Sequence, residues 1–256
     1  MSSPNPNALT YNAYVQQICT LAVVNYSTIA GIVIPVDVAV QTIIPSMLNY
    51  AEMRIQRDLD LLASQVVNVG YNLSIGNNTL SVSSNDFQTI QSIAVTNGVA
   101  SIPILPTSKE YIQNVYNDMS YQAQPICFAF YGGDPNLSGN NLNTLLFGPY
   151  PDQAYLLKIT GTRWLPSLYA TASTNGLGTT YISSNYPDLL LQASGVYISQ
   201  YQRNFSPTAN DPQMPGSFEY QYGVLLKSAL ELENRKKFRD AAWSSQSQSP
   251  VATPTR

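Results

Sequence analysis

The chain has 256 residues and a formal net charge of -3, and only 11% of its residues are charged, against about 25% in an average soluble protein. This length allows one large domain or two small ones, with a true hydrophobic core in either case. The lack of a basic excess argues against binding to DNA phosphates, because phosphate neutralisation needs clustered Lys and Arg.

The residue types that carry most chemistry are scarce. Histidine is absent, which removes the usual general base at neutral pH and the commonest metal ligand. Cys19 and Cys127 form no zinc or redox spacing and are interpreted as buried thiols, although a disulfide between them stays open. The sequence therefore predicts no cofactor and no metal. It also shows no signal peptide and no apolar run long enough to span a membrane, which predicts a protein made in a cytoplasm.

Helical periodicity marks both ends of the chain. A weaker helix is predicted over residues 11–24, and a second helix is predicted to carry Pro45 in its first turn, where a missing N–H costs nothing. Another helix begins at Pro187. The last helix combines an apolar stripe with opposite charges four residues apart. Its apolar stripe consists of Tyr222, Leu225, Leu226, Ala229 and Leu232.

The middle of the chain is rich in short β-type runs separated by turn residues. Asn97-Gly98 lies between two apolar runs and predicts a hairpin, because both turn residues then need a positive φ. Pro149 to Asp152 is interpreted as a second hairpin turn. Thr107 and Glu110 are interpreted as the capping box of one short helix.

Together these elements predict an α+β fold. The N- and C-terminal helices, residues 1–64 and 185–243, are expected to pack as a helical bundle, because each has one apolar stripe to bury. A β-rich domain over residues 65–184 is expected to be inserted between them. Residues 244–256 are polar and contain proline, which predicts a flexible tail.

Two motifs raise the possibility of catalysis or phosphate binding, and each has a simpler explanation. Asp134 and Asp152 flank the second predicted hairpin and resemble the carboxylate pair of a glycoside hydrolase, but both are also ordinary turn residues. Gly176-Leu177-Gly178 is not followed by the basic end of a phosphate loop. The turn and surface-loop interpretations are favoured in both cases, and no catalytic residue is expected.

Two surface features favour a protein partner instead. Arg235, Lys236, Lys237 and Arg239 form a basic cluster that suits either an acidic partner surface or the dipole at a helix C-terminus. Acidic neighbours cancel most of its field, so nucleic acid is the weaker alternative. The chain also has 18 tyrosines, and tyrosine suits interfaces, sugar-binding platforms and ordinary packing.

The order of four segments resembles a known family. AEMRIQRDLDLL (51–62) precedes the β segments, and LLFGPYPDQAYLLKITG (145–161) follows within them. YPDLLLQASGVYISQYQR (186–203) and ELENRKKFRDA (231–241) come next. This succession, from about residue 45 to 240, resembles the head-to-tail adaptor, or connector, proteins of tailed bacteriophages.

The resemblance implies a structural virion protein in the neck between head and tail. Such adaptors form a ring, typically of twelve copies, against the portal protein, extend the DNA channel and present a surface to the next tail or neck protein. Genomic DNA would pass without sequence-specific binding, and no membrane is involved. The candidate portal or subunit contacts are Glu52, Arg54, Arg57, Asp58, Arg235, Lys236, Lys237, Arg239, Trp243 and Arg256. Pro149, Tyr150, Pro151 and Asp152 are the candidate tail-side or ring contact.

Two alternative functions from other classes stay open. A carbohydrate-binding or receptor-binding virion module would need exposed aromatic residues on one β face, with Tyr169 and Tyr181 as candidates. A hydrolase would need Asp134 and Asp152 to converge in one cleft.

Overall fold

The structure is a computed structural model that describes residues 8–83, 86–96, 100–132, 142–173, 175–201 and 215–238. Its contacts divide the chain into two compact units. We call residues 1–62 with 166–256 the helical unit, and residues 63–165 the barrel unit.

The elements of the described residues are six α-helices and nine strands. The helices are α1 (Tyr11–Leu21), α2 (Val38–Asp58), α3 (Lys109–Val115), α4 (Tyr181–Asn185), α5 (Pro187–Tyr201) and α6 (Pro215–Phe238). The strands are β1 (Tyr26–Ile29), β2 (Ile32–Pro35), β3 (Gln65–Leu73), β4 (Thr79–Ser83), β5 (Thr89–Thr96), β6 (Ser101–Pro106), β7 (Cys127–Gly132), β8 (Leu142–Gly148) and β9 (Tyr155–Thr162).

The predicted helical bundle with an inserted β-rich domain is wrong as an account of the fold. The fold is α+β, but the middle of the chain forms one seven-stranded, nearly closed, barrel-like sheet. The N-terminal helix α1 has only 11 residues, and the two-stranded sheet of β1 and β2 follows it. Sequence periodicity identifies single elements, whereas closure of a sheet depends on pairings between strands distant in sequence.

The start of α2 also differs from the prediction. The helix begins at Val38, and the Asp37 side chain caps it by accepting a hydrogen bond from the N–H of Ala39 at 2.9 Å. Pro45 therefore lies inside the helix instead of in its first turn. Because proline has no N–H, the carbonyl of Gln41 receives no hydrogen bond from position 45.

The barrel unit has the strand order β3-β9-β5-β6-β7-β8-β4. The pairs are antiparallel except for β6 and β7, which run parallel and are connected through α3. The hairpin predicted at Asn97-Gly98 is confirmed by the antiparallel pairing of β5 with β6, although residues 97–99 lie outside the described residues.

Two local predictions in the barrel unit are wrong. The second predicted hairpin fails because β8 pairs with β4 and β7, whereas β9 pairs with β3 and β5. The short helix α3 is capped by Ser108, whose hydroxyl accepts a hydrogen bond from the N–H of Tyr111, and not by the predicted Thr107 capping box.

The core of the barrel unit is formed by side chains that alternate between buried and exposed positions along the strands. Strand β9 alternates buried and more exposed residues along its length, as expected for a strand with one face in the core. The larger of two clusters of buried residues consists of Leu73, Val82, Phe87, Ile93, Val95, Ile104, Phe128, Leu145, Phe147, Tyr155, Leu157 and Ile159. The smaller one consists of Ile112, Cys127, Ala129 and Leu146. Gly161 is required beside the larger cluster, because a Cβ there would overlap the backbone carbonyl of Thr89.

The helical unit is organised around α5, which packs against α1, α2, α4 and α6. Leu190 and Ala193 of α5 are fully buried. Gly195 lies where α6 crosses α5, and a Cβ there would come within 2.5 Å of the Phe218 ring. Among the described residues, no helix is both long enough and apolar enough to cross a membrane.

Candidate interaction sites

The Glu233 carboxylate of α6 lies at the centre of a polar network in the helical unit. Its side chain is 2% exposed. It accepts hydrogen bonds from the N–H of Leu62 at 2.9 Å, from the hydroxyl of Tyr181 at 2.8 Å and from the hydroxyl of Tyr186. Lys236 completes the network with an ion pair of 2.8 Å. This network, which we call the Glu233 lock, joins α6 to α4, to the residue before α5 and to the chain that follows α2.

The hydrogen bonds of the Glu233 lock control its protonation. Burial alone would raise the pKa of Glu233, but the donors Leu62, Lys236, Tyr186 and Tyr181 outweigh burial and lower this pKa to about 2. Burial also raises the pKa of Tyr186, and its hydrogen bond to Glu233 adds to this effect. The carboxylate therefore stays charged at neutral pH.

A second polar network joins α2 to α6. Arg54 forms a two-pronged ion pair with Glu219 and lies over the Tyr222 ring, 4.1 Å from its centroid. The Tyr222 hydroxyl donates to Asp58 at 2.7 Å. Hydrogen bonding to Arg54 lowers the pKa of Glu219. These side-chain contacts connect α2 to α6.

Glu52 is a buried carboxylate on α2. It is 2% exposed and accepts hydrogen bonds from the Ser167 hydroxyl and from the N–H of Leu168 at 2.8 Å. Burial raises the pKa of Glu52, and these two hydrogen bonds oppose that rise. It fixes the short 3-10 helix Leu168–Ser173 against α2.

The candidate portal or subunit contacts divide into three sets, and their interface role stays a prediction. Glu52, Arg54, Asp58, Lys236 and Lys237 all bind partners within the helical unit, with Lys237 paired to Asp60. Arg57 and Arg235 point largely to solvent, and Arg235 is 77% exposed. The third set, Arg239, Trp243 and Arg256, lies outside the described residues.

Sequence analysis missed the partners that complete these networks: Glu219, Ser167 and above all Glu233. The spacing of four residues pairs Glu233 with Lys237 on the helix surface, whereas the structure buries Glu233 and pairs Lys237 with Asp60. A signal was available, because Glu233 follows the buried Ala229 by four residues and therefore lies on the apolar stripe of α6. A carboxylate in such a stripe requires buried donors.

The segment Gly148 to Asp152 has an architectural position in the barrel unit. The carbonyls of Gly148 and Tyr150 accept from the N–H groups of Ile126 and Ala123, and the carbonyl of Pro151 accepts from Gly76. The peptide bond between Gly148 and Pro149 is cis. Pro149 and Pro151 are buried, whereas Tyr150 is half-buried and Asp152 is exposed. Its role as a tail-side or ring contact stays a prediction.

A groove of about 260 Å³ lies beside this segment, in the barrel unit. It is lined by Asn78, Thr79, Ile112, Gln113, Tyr116, Asn117, Tyr131, Leu146 and Tyr150. Tyr116 stacks on Tyr121, with ring planes 12° apart. Gly148 makes room for this arrangement, because a Cβ there would come within 2.5 Å of the Tyr116 ring. The groove thus offers aromatic rings and side-chain amides without a charged residue in its lining.

A larger groove of about 540 Å³ lies in the helical unit. It is lined by Tyr11, Ile32, Val33, Ile34, Pro35, Gln41, Ile44, Pro45, Tyr169 and Ala170. Tyr11 and Tyr169 meet edge to face, with ring centroids 5.9 Å apart. Gln41 supplies the only side-chain amide of this lining, so the surface suits an apolar partner.

The other predicted site residues do not form the sites expected of them. Tyr169 and Tyr181 lie in the helical unit, on the 3-10 helix and on α4, and therefore share no β face. Asp152 accepts a hydrogen bond from Tyr155 at 2.7 Å, whereas Asp134 lies outside the described residues, so their convergence is untested. Cys19 and Cys127 are buried free thiols.

Gly176-Leu177-Gly178 is tied to α1. The N–H of Asn12 donates to the carbonyl of Gly176 at 3.0 Å, and a Cβ on Gly176 would overlap the Asn12 side chain. In the described part of the chain, no cluster of three or more Cys, Asp or Glu residues is arranged to hold a metal ion.

These features define a class of protein. Several charged side chains of the helical unit bind one another, and both units present apolar or aromatic side chains to solvent, a feature that favours contact with other molecules. The chain belongs to the SU10 adaptor protein family, whose family model matches residues 10–252. It is therefore a structural adaptor protein of a bacteriophage and a virion component. No curated protein matches the sequence.

Proposed function

We propose that this chain is the head-to-tail adaptor of a tailed phage. It assembles as a ring, typically of twelve copies, between the portal protein and the next tail or neck protein, and the ring extends the DNA channel. The match to the SU10 adaptor family over residues 10–252 carries this proposal. The mechanism is assembly and sealing, without catalysis.

The physical character of the surface supports ring assembly. Only 11% of the residues are charged, so subunit contacts can form while few ions lose their water. Large apolar side chains are exposed in both units, among them Val38, Leu105 and Tyr220. Exposed apolar side chains favour protein contacts where they lie side by side in a patch.

The charge balance supports passage of DNA without binding. The formal net charge is -3, and in the described residues Lys236, Lys237 and Arg54 are paired with carboxylates. Phosphate binding depends on unpaired cations. A channel lined by such a surface lets the genome slide instead of holding it.

Mass photometry of the purified protein, alone and mixed with portal rings of the same phage, tests the proposal. The expected result is a closed multimer, or a ring-sized gain in mass on the portal. A truncation after Phe238 removes Arg239, Trp243 and Arg256, and we expect it to bind the portal at least tenfold more weakly. A strict monomer that ignores portal rings would overturn the adaptor function.

A second candidate function is recognition of neutral carbohydrate by the barrel unit, as in a receptor-binding virion module. The 260 Å³ groove beside Tyr150 favours it. Aromatic faces pack against the apolar side of a sugar ring, and the amides of Asn78, Gln113 and Asn117 offer both donors and acceptors to hydroxyl groups.

Titration with neutral oligosaccharides, followed by NMR, tests this candidate. Saturable shifts in the millimolar range or tighter are expected for the wild type and are expected to disappear in Asn117→Ala and Tyr131→Ala. Tyr220→Ala, on an exposed position of the helical unit, is the matched control. The absence of any shift in the wild type would exclude this function without affecting the adaptor proposal.

A further inference from the structure

The groove of about 540 Å³ in the helical unit, which we call the α2 groove, combines aromatic rings with a single amide. Tyr11 and Tyr169 lie in its lining with their ring centroids 5.9 Å apart, and Gln41 adds the amide. In the described part of the chain, the lining contains no charged residue. The volume is within the range of about 300–1,000 Å³ that holds a compact ligand. Such a groove suits an uncharged segment that carries apolar rings and amides.

The described chain begins close to this groove. Ala8 is the first described residue, and the N–H of Leu9 donates to the carbonyl of Ser183 at 2.9 Å, which fixes the chain just before α1. Only three peptide units separate Ala8 from Tyr11, so their Cα atoms lie at most about 11 Å apart. Residues 1–7, which lie outside the described residues, are therefore attached near the α2 groove.

Residues 1–7 have the length and the chemistry to bind there. Their sequence is MSSPNPN. A polyproline helix rises about 3.1 Å per residue, so a segment of this length spans about 22 Å. Pro4 and Pro6 form a Pro-x-Pro sequence, and such sequences bind in grooves lined by aromatic rings. Asn5 and Asn7 supply amides that match the donor and acceptor groups of Gln41.

Charge distinguishes this segment from the other long segments outside the described residues. Residues 133–141, 202–214 and 239–256 each contain at least one Asp or Arg. Residues 1–7 contain no charged side chain. Transfer of an unpaired charge from water into an uncharged groove is costly. The N-terminal segment is therefore the one whose chemistry matches the lining.

We propose that residues 1–7 bind in the α2 groove of their own chain, with the rings of Pro4 and Pro6 packed against Tyr11 and Tyr169. Attachment to the same chain gives the segment a local concentration in the millimolar range, so a weak contact is sufficient to fill the groove. The segment then removes the apolar lining from water. This contact lies within one chain and does not depend on ring assembly.

Methyl NMR of isoleucine side chains in the full chain tests this contact. The reporter signals come from the groove residues Ile32, Ile34 and Ile44. The reference signals come from Ile55 and Ile159, which are buried and lie outside the groove lining.

Two variants of the segment are compared with the wild type. Pro4→Gly combined with Pro6→Gly is expected to shift the reporter signals and to leave the reference signals in place, because the rings that pack on the tyrosines are lost. Ser2→Gly combined with Ser3→Gly keeps both prolines and is the matched control, with the reporter signals expected at their wild-type positions.

A chain that begins at Ala8 lacks the proposed occupant altogether. Its reporter signals are expected to shift in the same direction as those of the double proline variant. A synthetic peptide with the sequence of residues 1–7, added at millimolar concentration, is expected to return them toward their wild-type positions.

A nitroxide spin label on Ser2→Cys separates binding within one chain from binding between copies. Cys19 and Cys127 are buried, and buried thiols are unreactive, so the label attaches to the introduced thiol. We expect the label to broaden the signal of Ile34. The broadening is expected to persist when the labelled chains are diluted with an excess of wild type that carries neither isotope nor label.

Three results would overturn the contact. The first is a set of reporter signals that is identical in the wild type and in the chain that begins at Ala8. The second is broadening that disappears on dilution, which would assign the groove to the segment of a second copy. The third is a shift of the reference signals as large as that of the reporter signals, which would indicate a general change of fold. Portal binding, measured separately by mass photometry, decides the adaptor function in each case.

Discussion

In the helical unit two carboxylates, Glu52 and Glu233, are each 2% exposed and accept hydrogen bonds from both backbone and side-chain donors. In the described residues of the barrel unit the only buried polar side chain is Thr144, and its hydroxyl has no partner. The two core clusters of the barrel unit consist of buried apolar and aromatic residues and the Cys127 thiol instead.

The difference follows from how helices and strands satisfy their backbones. The strands of a sheet bond to one another through N–H and C=O groups, and the alternation of their apolar side chains sets the register. Helices satisfy their own backbones, and only side chains can fix one helix against the next. Buried polar side chains therefore carry register in the helical unit, whereas the barrel unit needs only an apolar filling.

The largest effect is expected from removal of the Glu233 carboxylate. Glu233→Ala leaves Lys236 without its ion pair and leaves the Leu62 N–H and two tyrosine hydroxyls without their acceptor. We expect the free energy of unfolding to fall by about 3–5 kcal/mol. Urea denaturation, with hydrogen exchange to locate the loss in the helical unit, measures it.

Glu231→Ala is the matched control for that substitution. Glu231 lies on the same helix and pairs with Arg235 at 3.6 Å, but both side chains are more than 70% exposed. Its removal is expected to change the free energy of unfolding by less than about 0.5 kcal/mol. Equal losses for the two variants would show that the Glu233 lock does not hold the helices together.

The barrel unit is expected to respond to cavities instead. Leu157→Ala removes a side chain that is fully buried in the apolar cluster and is expected to cost about 2–5 kcal/mol. Leu156→Ala, one residue earlier on β9, removes a side chain that is 37% exposed and should cost about 1 kcal/mol or less. Urea denaturation measures both losses of stability. Equal losses for Leu157→Ala and Leu156→Ala would show that the apolar cluster does not carry the stability of the barrel unit.

Acid is expected to act mainly on the helical unit. The pKa of Glu233 is about 2 in the folded chain, against an ordinary value of 4.5, so its stabilisation is complete above pH 4.5. That stabilisation, up to about 3 kcal/mol, is lost as the pH falls toward 2. Glu52 acts in the opposite direction, because burial raises its pKa and protonation then favours the folded state.

The acid effect is measured as the free energy of unfolding between pH 5 and pH 2, for the wild type and Glu233→Gln. Glutamine is neutral and does not titrate, so the free energy of unfolding of the variant should depend less on pH over that interval. Hydrogen exchange should show earlier opening of α6 than of β9 in the wild type as the pH falls. Simultaneous opening of both elements would contradict the assignment of acid sensitivity to the helical unit.

The smallest effects are expected from two helical glycines. Gly223→Ala in α6 adds a Cβ that meets no atom within 4 Å, and we expect a gain of about 0.5–1 kcal/mol from helix propensity. Gly195→Ala in α5 adds a Cβ only 2.5 Å from the Phe218 ring, and we expect a net loss of about 1–3 kcal/mol. Thermal denaturation of both variants measures the difference, and a gain for Gly195→Ala would show that the α5–α6 contact is loose.

Sequence reasoning worked best where a pattern was local. The helix that begins at Pro187 and the hairpin of β5 and β6 were predicted from proline placement, apolar spacing and the Asn-Gly turn. The resemblance to phage adaptors, drawn from the order of four segments, agrees with the family match. These signals depend on residues close together in the chain or on the order of segments, so a single sequence is sufficient to predict the elements concerned.

The errors concern partners that lie far apart in the chain. LLFG and YLLKI resemble the two strands of one hairpin around Gly148 to Asp152. In the structure, however, β8 and β9 pair with other strands. Pro45 is typical of the first turn of a helix, so the sequence predicts that the helix starts there. In the structure Asp37, eight residues earlier, caps α2, and Pro45 lies inside the helix.

The sequence by itself determined most of the helices, the β-rich middle of the chain, the low charge content and the family, because propensity, composition and motif order are properties of the chain. It did not reveal the hairpin of β1 and β2. Only the tertiary structure decided which strands close the barrel-like sheet and which acceptor each buried donor meets. It also decided that residues from α1, β2 and α2 meet to line the groove of about 540 Å³ in the helical unit. These depend on contacts between residues far apart in the chain, as between Thr79 and Leu146 or between Leu62 and Glu233, and no local pattern specifies them.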